Sequence, residues 1–585
     1  MSEEKSADFP SQKEIEKDIS NYLTKKYGER IKIVGIHAQP EVADSSLIDK
    51  KNAAATITRN FSIKPEELNA YLDEYVIRQD DAKAVLSTKI CTHFNRIRHA
   101  LTHPEHKEHE VGQIKSNVLL MGPTGVGKTY LVKLIAKKIG VPFIKGDATK
   151  FSETGYVGGD VEDLIRDLVR EAEDDLESAQ YGIIYIDEID KISSSANRIG
   201  PDISRGGVQR ALLKPMEETE VDLKVPHDPI SQMEAIERYR ATGKRQRKVI
   251  NTKNILFIMS GAFTGLTDII KKRVQKQSIG FESMIGQPKT PIKLLKQVKA
   301  EDLIQYGFES EFVGRLPVVS CLDELSAEDL YEILLNFNCP VIVGKKLDFR
   351  AYGIHIQFAE EALRQIADQA YTEQTGARGL VSVMEKILLP FEKKLPSTDI
   401  KILAVTEELV HHPVRELERL LNEPDRVPFH EEQFHILGQR EKERLIDFIQ
   451  RTRGQYLQQH DIAATRTRLG LVAEQCQKKI MDTEDVLDLF RELIQQIKQC
   501  ANTISNKSGL KVTFSDEAID WILSHKTLTP EAIKELCGGL LKSFEYGFEL
   551  LSQKKHFTEV VIPVAGLESP DTFINELVAK SFIEK

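Results

Sequence analysis

Eight consecutive residues have the types and spacing of a phosphate-binding loop, GxxxxGK[ST]. An apolar run at 118–121, typical of a buried strand, precedes them, and residues 131–139 predict a helix whose N-terminal amides face a phosphate. In such a loop Lys128 neutralises the β and γ phosphates of a nucleotide and Thr129 ligates magnesium. A chance glycine-rich turn is the alternative, and the strand and helix favour the loop. The eight residues are Gly122, Pro123, Thr124, Gly125, Val126, Gly127, Lys128 and Thr129.

Two carboxylates, Asp187 and Glu188, end the apolar run 181–186. Asp187 is placed to hold magnesium through water and Glu188 to polarise the attacking water, because phosphoryl transfer needs positioning and charge compensation more than covalent help. A buried strand with a solvated acidic end is the bland alternative. Ser260 ends a further predicted strand, 254–260, where its hydroxyl could touch a γ phosphate or its water.

Two arginines are candidates for stabilising a transferring phosphoryl group. Arg315 lies at a predicted helix end, two residues before Pro317, and Arg378 lies at a predicted helix start after Gly376. Either could be a surface charge. A nucleoside triphosphatase that works as a ring needs one arginine from a neighbour and one from its own lid, because guanidinium donors stabilise that group.

The elements that must position these residues alternate between strands and helices. Strands near 118, 142, 183 and 255 predict a parallel, doubly wound α/β sheet that binds nucleotide at its carboxyl edge. A helical pattern runs from Lys64 to Ile97, and we expect 271–299 to be loop.

Length and composition narrow the class of protein. The 585 residues suffice for about three to five domains. With 80 basic and 90 acidic residues the net charge is −10, which argues against a general nucleic-acid coat protein. Six scattered cysteines without a CxxC pair argue against a zinc module and a disulfide framework. No run of about 18 apolar residues occurs, so we expect a soluble cytoplasmic protein.

Three segments could contact partners. Tyr156 lies between glycines, which favours either a mobile loop that displays the ring or a turn that packs it. A second segment is the apolar triplet Ile279, Gly280 and Phe281, which lies between charged flanks. It is either a plug that docks on a partner or part of a small local core. The basic run 244–248, within an insertion at 218–253, is either a solvated face or a contact for an acidic or extended partner.

In order, these motifs resemble those of the AAA+ module of the ClpX family, the hexameric unfoldases of the Clp protease, over about 64–412. The resemblance implies that Tyr75, Val76 and Ile77 contact adenine and that Tyr130 belongs to the nucleotide site. Residues 260–263 are also similar to the sister ATPase HslU, but no large inserted domain follows 155–158.

The resemblance also implies roles for the remaining motifs. Tyr156 and Val157 would form the substrate-gripping pore loop, and residues 279–281 the peptidase-docking loop. Ser260 would be sensor 1, Arg315 the arginine finger and Arg378 sensor 2.

Three features depart from the family pattern. A zinc-binding N-terminal module is missing, the insertion at 218–253 is longer and lacks the family's Arg-Lys-His loop, and residues 413–585 have no counterpart. We therefore expect a leader at 1–60, a large α/β domain at 61–320, an α+β lid at 321–412, a helical extension at 413–509 and a further unit at 510–585.

The C-terminal unit contains a weak internal repeat. Residues 355–362 parallel 511–518, and both are followed by two helices and a strand. We hypothesise a degenerate second lid in which Lys534 replaces Arg378, so that nucleotide sensing is lost. The alternative is that any small α+β unit would show the same order of elements. We also expect 441–504 to form a pair of long helices broken at Asp482 and Thr483.

The expected function is an ATP-hydrolysing homo-hexamer that uses magnesium and no zinc, and that threads protein substrates through a central pore to a ClpP-type peptidase. A protease-independent remodelling factor and a nucleotide-dependent scaffold are the alternatives. A nucleic-acid motor needs a basic pore, whereas the pore loop here is aromatic and apolar. No nucleic-acid or membrane partner is expected.

Overall fold

The computed structural model describes residues 61–103, 115–151, 159–193, 203–223, 248–278, 291–525, 529–552 and 559–583. The strands, in chain order, are β1 (Val118–Met121), β2 (Phe143–Asp147), β3 (Ile183–Asp187), β4 (Glu220–Asp222), β5 (Val249–Asn251), β6 (Leu256–Gly261), β7 (Val318–Cys321), β8 (His355–Phe358), β9 (Ile402–Val405), β10 (Lys511–Phe514) and β11 (Glu559–Ile562).

The α-helices of these ranges fall into two groups. Those up to the end of the large domain are α1 (Pro65–Tyr75), α2 (Asp80–Thr102), α3 (Lys128–Ile139), α4 (Glu162–Glu171), α5 (Leu176–Ala179), α6 (Ile203–Met216), α7 (Leu266–Ser278), α8 (Pro291–Leu295), α9 (Ala300–Tyr306) and α10 (Ser310–Gly314). Those that follow are α11 (Ala327–Leu335), α12 (Pro340–Ala351), α13 (Glu360–Thr372), α14 (Ala377–Lys394), α15 (Glu407–His411), α16 (Pro413–Asn422), α17 (Arg426–Thr452), α18 (Gly454–Gln459), α19 (Arg466–Lys479), α20 (Thr483–Ser508), α21 (Asp516–His525), α22 (Pro530–Ser552), α23 (Val564–Glu568) and α24 (Pro570–Ile583).

Five strands form one parallel sheet in the order β2-β3-β6-β1-β7. This confirms the predicted α/β class, and the four predicted strands are all present. β1 has an interior position, with Val118 opposite Ile258 on one side and Val318 on the other. Strand β7 was not predicted; it is only four residues long and contains a serine. The carboxyl ends of β1, β3 and β6 meet at one edge and deliver the phosphate loop, Asp187 and Ser260.

The expectation of loop over 271–299 was wrong for its described parts, because α7 reaches Ser278 and α8 begins at Pro291. The apolar residues Leu266, Ile270 and Val274 are spaced by four, which puts them on one helix face, and the first two are fully buried. The helical pattern from Lys64 is two helices, separated by residues 76–79, because Arg78 and Gln79 have positive φ.

The lid region contains a two-stranded parallel sheet, β8 with β9, flanked by α11 to α16. One buried apolar core extends from one face of the large sheet through these helices as far as Leu437. A second core covers the other face of the sheet.

The C-terminal region has its own buried core, from Leu445 to Ile574. The expected helix break at Asp482 is present, where Asp482 caps α20. The expected pair of long helices was wrong, because α17, α18, α19 and α20 occupy the segment. One interruption is at Arg453, and the other ends at Thr465, whose hydroxyl caps α19 by accepting from the Arg468 amide.

Several expectations lie outside the described residues: the leader 1–60, the segment 155–158 with Tyr156 and Val157, the basic run up to residue 247, and Ile279, Gly280 and Phe281. The two ends of the insertion 218–253 pair as an antiparallel ribbon, β4 with β5.

Four cysteines are free and buried, Cys91, Cys321, Cys339 and Cys476, whereas Cys500 is disulfide-bonded. The scattered spacing did not predict this bond. Within the described ranges, each helix is too short or too polar to cross a membrane.

Candidate nucleotide site

The phosphate loop leads directly from β1 into α3, as its glycines allow. Gly125 and Gly127 have φ of +78° and +92°, the left-handed region that glycine occupies at little cost. Gly127 is the N-cap of α3, so the amides of the first helical turn, which have no partner inside the helix, face the loop. These amides and the helix dipole favour an anion at this point.

Lys128 is held by the loop itself. Its ammonium donates to the carbonyl oxygens of Gly122 and Pro123, each at 2.7 Å. Burial lowers the pKa of Lys128, while the charges of Asp187 and Asp190 oppose this shift. Both hydrogen-bond acceptors are neutral, so a phosphate would supply an anionic partner that the loop carbonyls do not.

A cavity of about 610 Å³ opens above the loop and collects most of the predicted nucleotide residues. This volume lies in the range of small-molecule sites. Predicted residues that line it are Val76, Ile77, Thr124, Gly125, Val126, Gly127, Lys128, Thr129, Tyr130, Asp187, Glu188 and Arg378. Gly122 and Pro123 take part in the site through their carbonyl oxygens, which accept hydrogen bonds from Lys128.

Asp187 is ionised and held from two sides. Ser260, fully buried at the end of β6, donates its hydroxyl to Asp187 Oδ1 at 2.7 Å, and the Lys145 ammonium lies 2.9 Å from Oδ2. Partial burial works against the charge, but Ser260 and Lys145, together with the Glu188 amide that donates to Oδ1, outweigh it, so the pKa of Asp187 lies below its usual value. A hydrogen bond thus joins Ser260, the predicted sensor, directly to Asp187, the predicted magnesium ligand.

Glu188 has a strained backbone. Its φ is +58°, a region that a residue with a Cβ adopts rarely and that clusters at functional sites. The next residues, Ile189–Ile192, form a short 3₁₀ helix. This geometry turns the chain sharply at the end of β3 and leaves the Glu188 side chain lining the cavity.

The lid touches the phosphate loop through main-chain atoms. The Ala377 amide donates to the Gly125 carbonyl at 2.9 Å, and a Cβ at Gly125 would lie 2.1 Å from the Thr375 carbonyl oxygen. Arg378 is the second residue of α14 and lines the cavity from the lid side.

Comparison with known proteins places this arrangement in a family. A family model described as "AAA domain (Cdc48 subfamily)" matches residues 113–319, and one described as "C-terminal, D2-small domain, of ClpB protein" matches 325–395. The "ATP-dependent Clp protease ATP-binding subunit ClpX" of Treponema denticola is 41% identical over 337 residues, 57% of this chain and 77% of that protein. The chain belongs to the ClpX family. The protein of the same name from Borrelia duttonii is 41% identical over 355 residues, 59% of this chain and 78% of that protein. With its AAA domain, this ClpX-family member is a Clp-type AAA+ ATPase.

Arg315, unlike the predicted catalytic residues Asp187, Glu188 and Arg378, does not line the cavity of this ClpX-family chain. It follows α10, and its guanidinium lies 2.5 Å from the Glu217 carboxylate, with both side chains about two-fifths exposed. Its side chain is therefore available at the surface of the large domain.

Among the polar residues that the sequence analysis missed, Tyr185 and Lys145 contact the predicted site groups directly. The Tyr185 hydroxyl lies 2.6 Å from Ser260 Oγ and accepts from the Thr129 hydroxyl at 3.1 Å, so Tyr185 joins the phosphate loop to β6. Burial raises its pKa to about 12. Lys145 is the second omission. Both residues occupy strands, where a polar side chain among apolar neighbours was the available indication.

Proposed function

We propose that the chain is an ATP-dependent protein unfoldase that acts as a homo-hexamer, threads polypeptides through a central pore and delivers them to a ClpP-type peptidase. The observation that carries the proposal is the division of the predicted catalytic groups. Lys128, Asp187, Glu188 and Arg378 line one cavity, whereas Arg315 lies at the surface. A site whose arginine comes from a neighbouring subunit works only in an assembly.

The donors in the cavity fit a magnesium nucleotide. Lys128 and the first turn of α3 would hold its phosphates, Thr129 and Asp187 would hold Mg²⁺ directly or through water, and Arg378 would contact it from the lid. Bound magnesium would neutralise charge that develops on the phosphates. Glu188 would orient the attacking water, with Ser260 fixing the adjoining Asp187.

The unfolding and delivery steps rest on the family and on residues outside the described ranges. Relatives bear the name of an ATP-binding subunit of the Clp protease. Tyr156 and Val157 would grip the substrate, and Ile279, Gly280 and Phe281 would dock the peptidase. A remodelling factor that works without a peptidase would use the same ATP site and pore loop, with no need of the docking loop.

The decisive experiment is degradation of a tagged, stably folded substrate by this protein with a ClpP-type peptidase and ATP. We expect ATP-dependent loss of the substrate, and we expect Phe281→Ala to abolish both degradation and peptidase pull-down while ATP hydrolysis continues. Unfolding without peptidase binding would favour the remodelling factor. A substrate left folded and intact, although ATP is bound, would favour the scaffold.

We also propose that the C-terminal unit is a degenerate second lid. Its strands β10 and β11 pair in parallel over four residues, as β8 and β9 do. Each pair is accompanied by helices in the same order: α13 to α16 in the lid, α21 to α24 in the C-terminal unit. Aligned on their helix starts, Arg378 corresponds to Glu531, and the sequence offset matches it to Lys534. Neither residue is an arginine, which supports loss of nucleotide sensing.

A further inference from the structure

Residues 441–484, which we call the strap, connect the lid helices to the C-terminal unit and contact the large domain beside the nucleotide cavity. The Tyr75 hydroxyl donates to the Asp482 carboxylate. The Lys138 ammonium lies 2.6 Å from the Glu484 carboxylate, and the Arg453 guanidinium lies 2.6 Å from that of Glu74. Three polar contacts therefore join the strap to α1 and the end of α3.

The strap is also fixed to the lid. The Lys346 ammonium lies 2.6 Å from the Glu441 carboxylate, and the Arg444 guanidinium lies 3.0 Å from that of Glu360. The rings of Phe337 and Phe448 pack with centroids 5.6 Å apart. The strap thus spans two regions that both line the nucleotide cavity.

Tyr75 is the residue through which the strap reaches the nucleotide side. It lines the nucleotide cavity together with Val76 and Ile77. It also lines a second cavity of about 300 Å³, whose other walls include strap residues 476–477 and 480–483. Its hydroxyl is bound on the strap side. Holding this ring fixes the end of α1, where Val76 follows in extended conformation and Ile77 comes next in the chain.

Asp482 is itself held rigidly. Its carboxylate accepts from the Glu484 amide at 3.1 Å and caps α20, so its position is tied to a 26-residue helix. Ile480, two residues earlier, has φ of +52°. A β-branched residue in this region is unfavourable and persists only where its surroundings enforce it. The turn that presents Asp482 is therefore built into the fold.

We propose that the strap positions the adenine-contacting segment 75–77 and so sets the affinity for adenine nucleotides, with Asp482 as a positioning residue that acts through Tyr75. The inference rests on the proposed nucleotide site. It gives part of the C-terminal region a role at the ATP site of its own subunit: the strap supplies a carboxylate that orders the base-binding segment, while the phosphate loop remains as it is.

The test compares two ligands on the full-length protein with Mg²⁺: ATP, and inorganic tripolyphosphate, which lacks the base. We expect Asp482→Asn and Tyr75→Phe each to raise the Kd for ATP by about five- to tenfold, the effect of losing one charge-assisted hydrogen bond. The Kd of the double variant for ATP should be no higher than that of the single variant with the higher Kd, because both substitutions remove the same hydrogen bond. The Kd for tripolyphosphate should be unchanged.

The matched control is Asp488→Asn. Asp488 lies on the same helix and also accepts from a tyrosine, Tyr456, but that pair is internal to the C-terminal region. Its Kd for ATP should stay within twofold of that of the unmodified protein.

An unchanged Kd for ATP in Asp482→Asn overturns the inference. An equal loss of affinity for ATP and for tripolyphosphate also overturns it, because it would mean a structural role. If Asp482→Asn is unfolded by circular dichroism, Tyr75→Phe alone decides. Failure of the unmodified protein to bind ATP would instead overturn the proposed function.

Discussion

Removal of the Tyr185 hydroxyl tests the link between the phosphate loop and the sensor strand. Tyr185→Phe deletes the contacts to Ser260 at 2.6 Å and Thr129 at 3.1 Å and leaves the ring in place. At about 1 kcal/mol net for each hydrogen bond, the loss is about 2 kcal/mol. If about 1.4 kcal/mol of this is felt where Ser260 orients Asp187, kcat falls about tenfold.

The assay is steady-state ATP hydrolysis, with thermal unfolding measured on the same preparations. We expect kcat to fall about tenfold with a smaller change in KM, and Tm to drop by a few degrees. Tyr352→Phe is the control, because that ring is 59% exposed on the lid. A Tyr185→Phe protein that is folded and retains the kcat of the unmodified protein would refute the reasoning.

Three further predictions concern the same subunit and its neighbour. Glu188→Gln should bind ATP, measured with a fluorescent analogue, yet lose turnover, because the carboxylate that orients water is gone; substantial hydrolysis would contradict the role of Glu188. Arg315→Ala should also be inactive, and mixing it with Glu188→Gln subunits should restore part of the ATPase activity, since mixed neighbours recreate complete sites; no recovery would argue against an arginine supplied in trans. Burial raises the pKa of Glu74 from 4.5 to about 7, against the opposing charge of Arg453. Between pH 4.5 and 7 the folded state therefore binds more protons at Glu74 than the unfolded state does. The contribution of Glu74 to the free energy of unfolding is full below about pH 4.5 and is lost as the pH rises through 7. Relative to the unmodified protein, Glu74→Gln should therefore gain on the order of 2 kcal/mol of unfolding free energy between pH 5 and pH 7.5 in urea titrations; a constant difference would refute this shift.

Much of the nucleotide site could be predicted because its residues fall in a few short motifs, each recognisable from local residue types and spacing. The loop 122–129 sets its own geometry, since glycines at 125 and 127 permit the positive φ that the turn requires. Asp187 and Ser260 could be placed together because both end apolar strands of a parallel sheet, and such ends meet at one edge. Their hydrogen bond follows from that topology.

Other features depend on contacts between residues far apart in sequence. Tyr185 looks like one more apolar strand residue until β3 and β6 pair and bring its hydroxyl to Ser260. The helix α7 was mistaken for loop because its charged residues outnumber the four apolar residues through which it packs.

By itself, the sequence determined the phosphate loop, the acidic strand end, the parallel sheet and the family. Each of these features depends on local residue types and their spacing. The tertiary structure alone decided that Asp482, 407 residues from Tyr75, lies against it, and that Arg315 pairs with Glu217 outside its own cavity. Such contacts depend on how whole helices pack, and packing is set by the summed burial of many side chains rather than by any short motif.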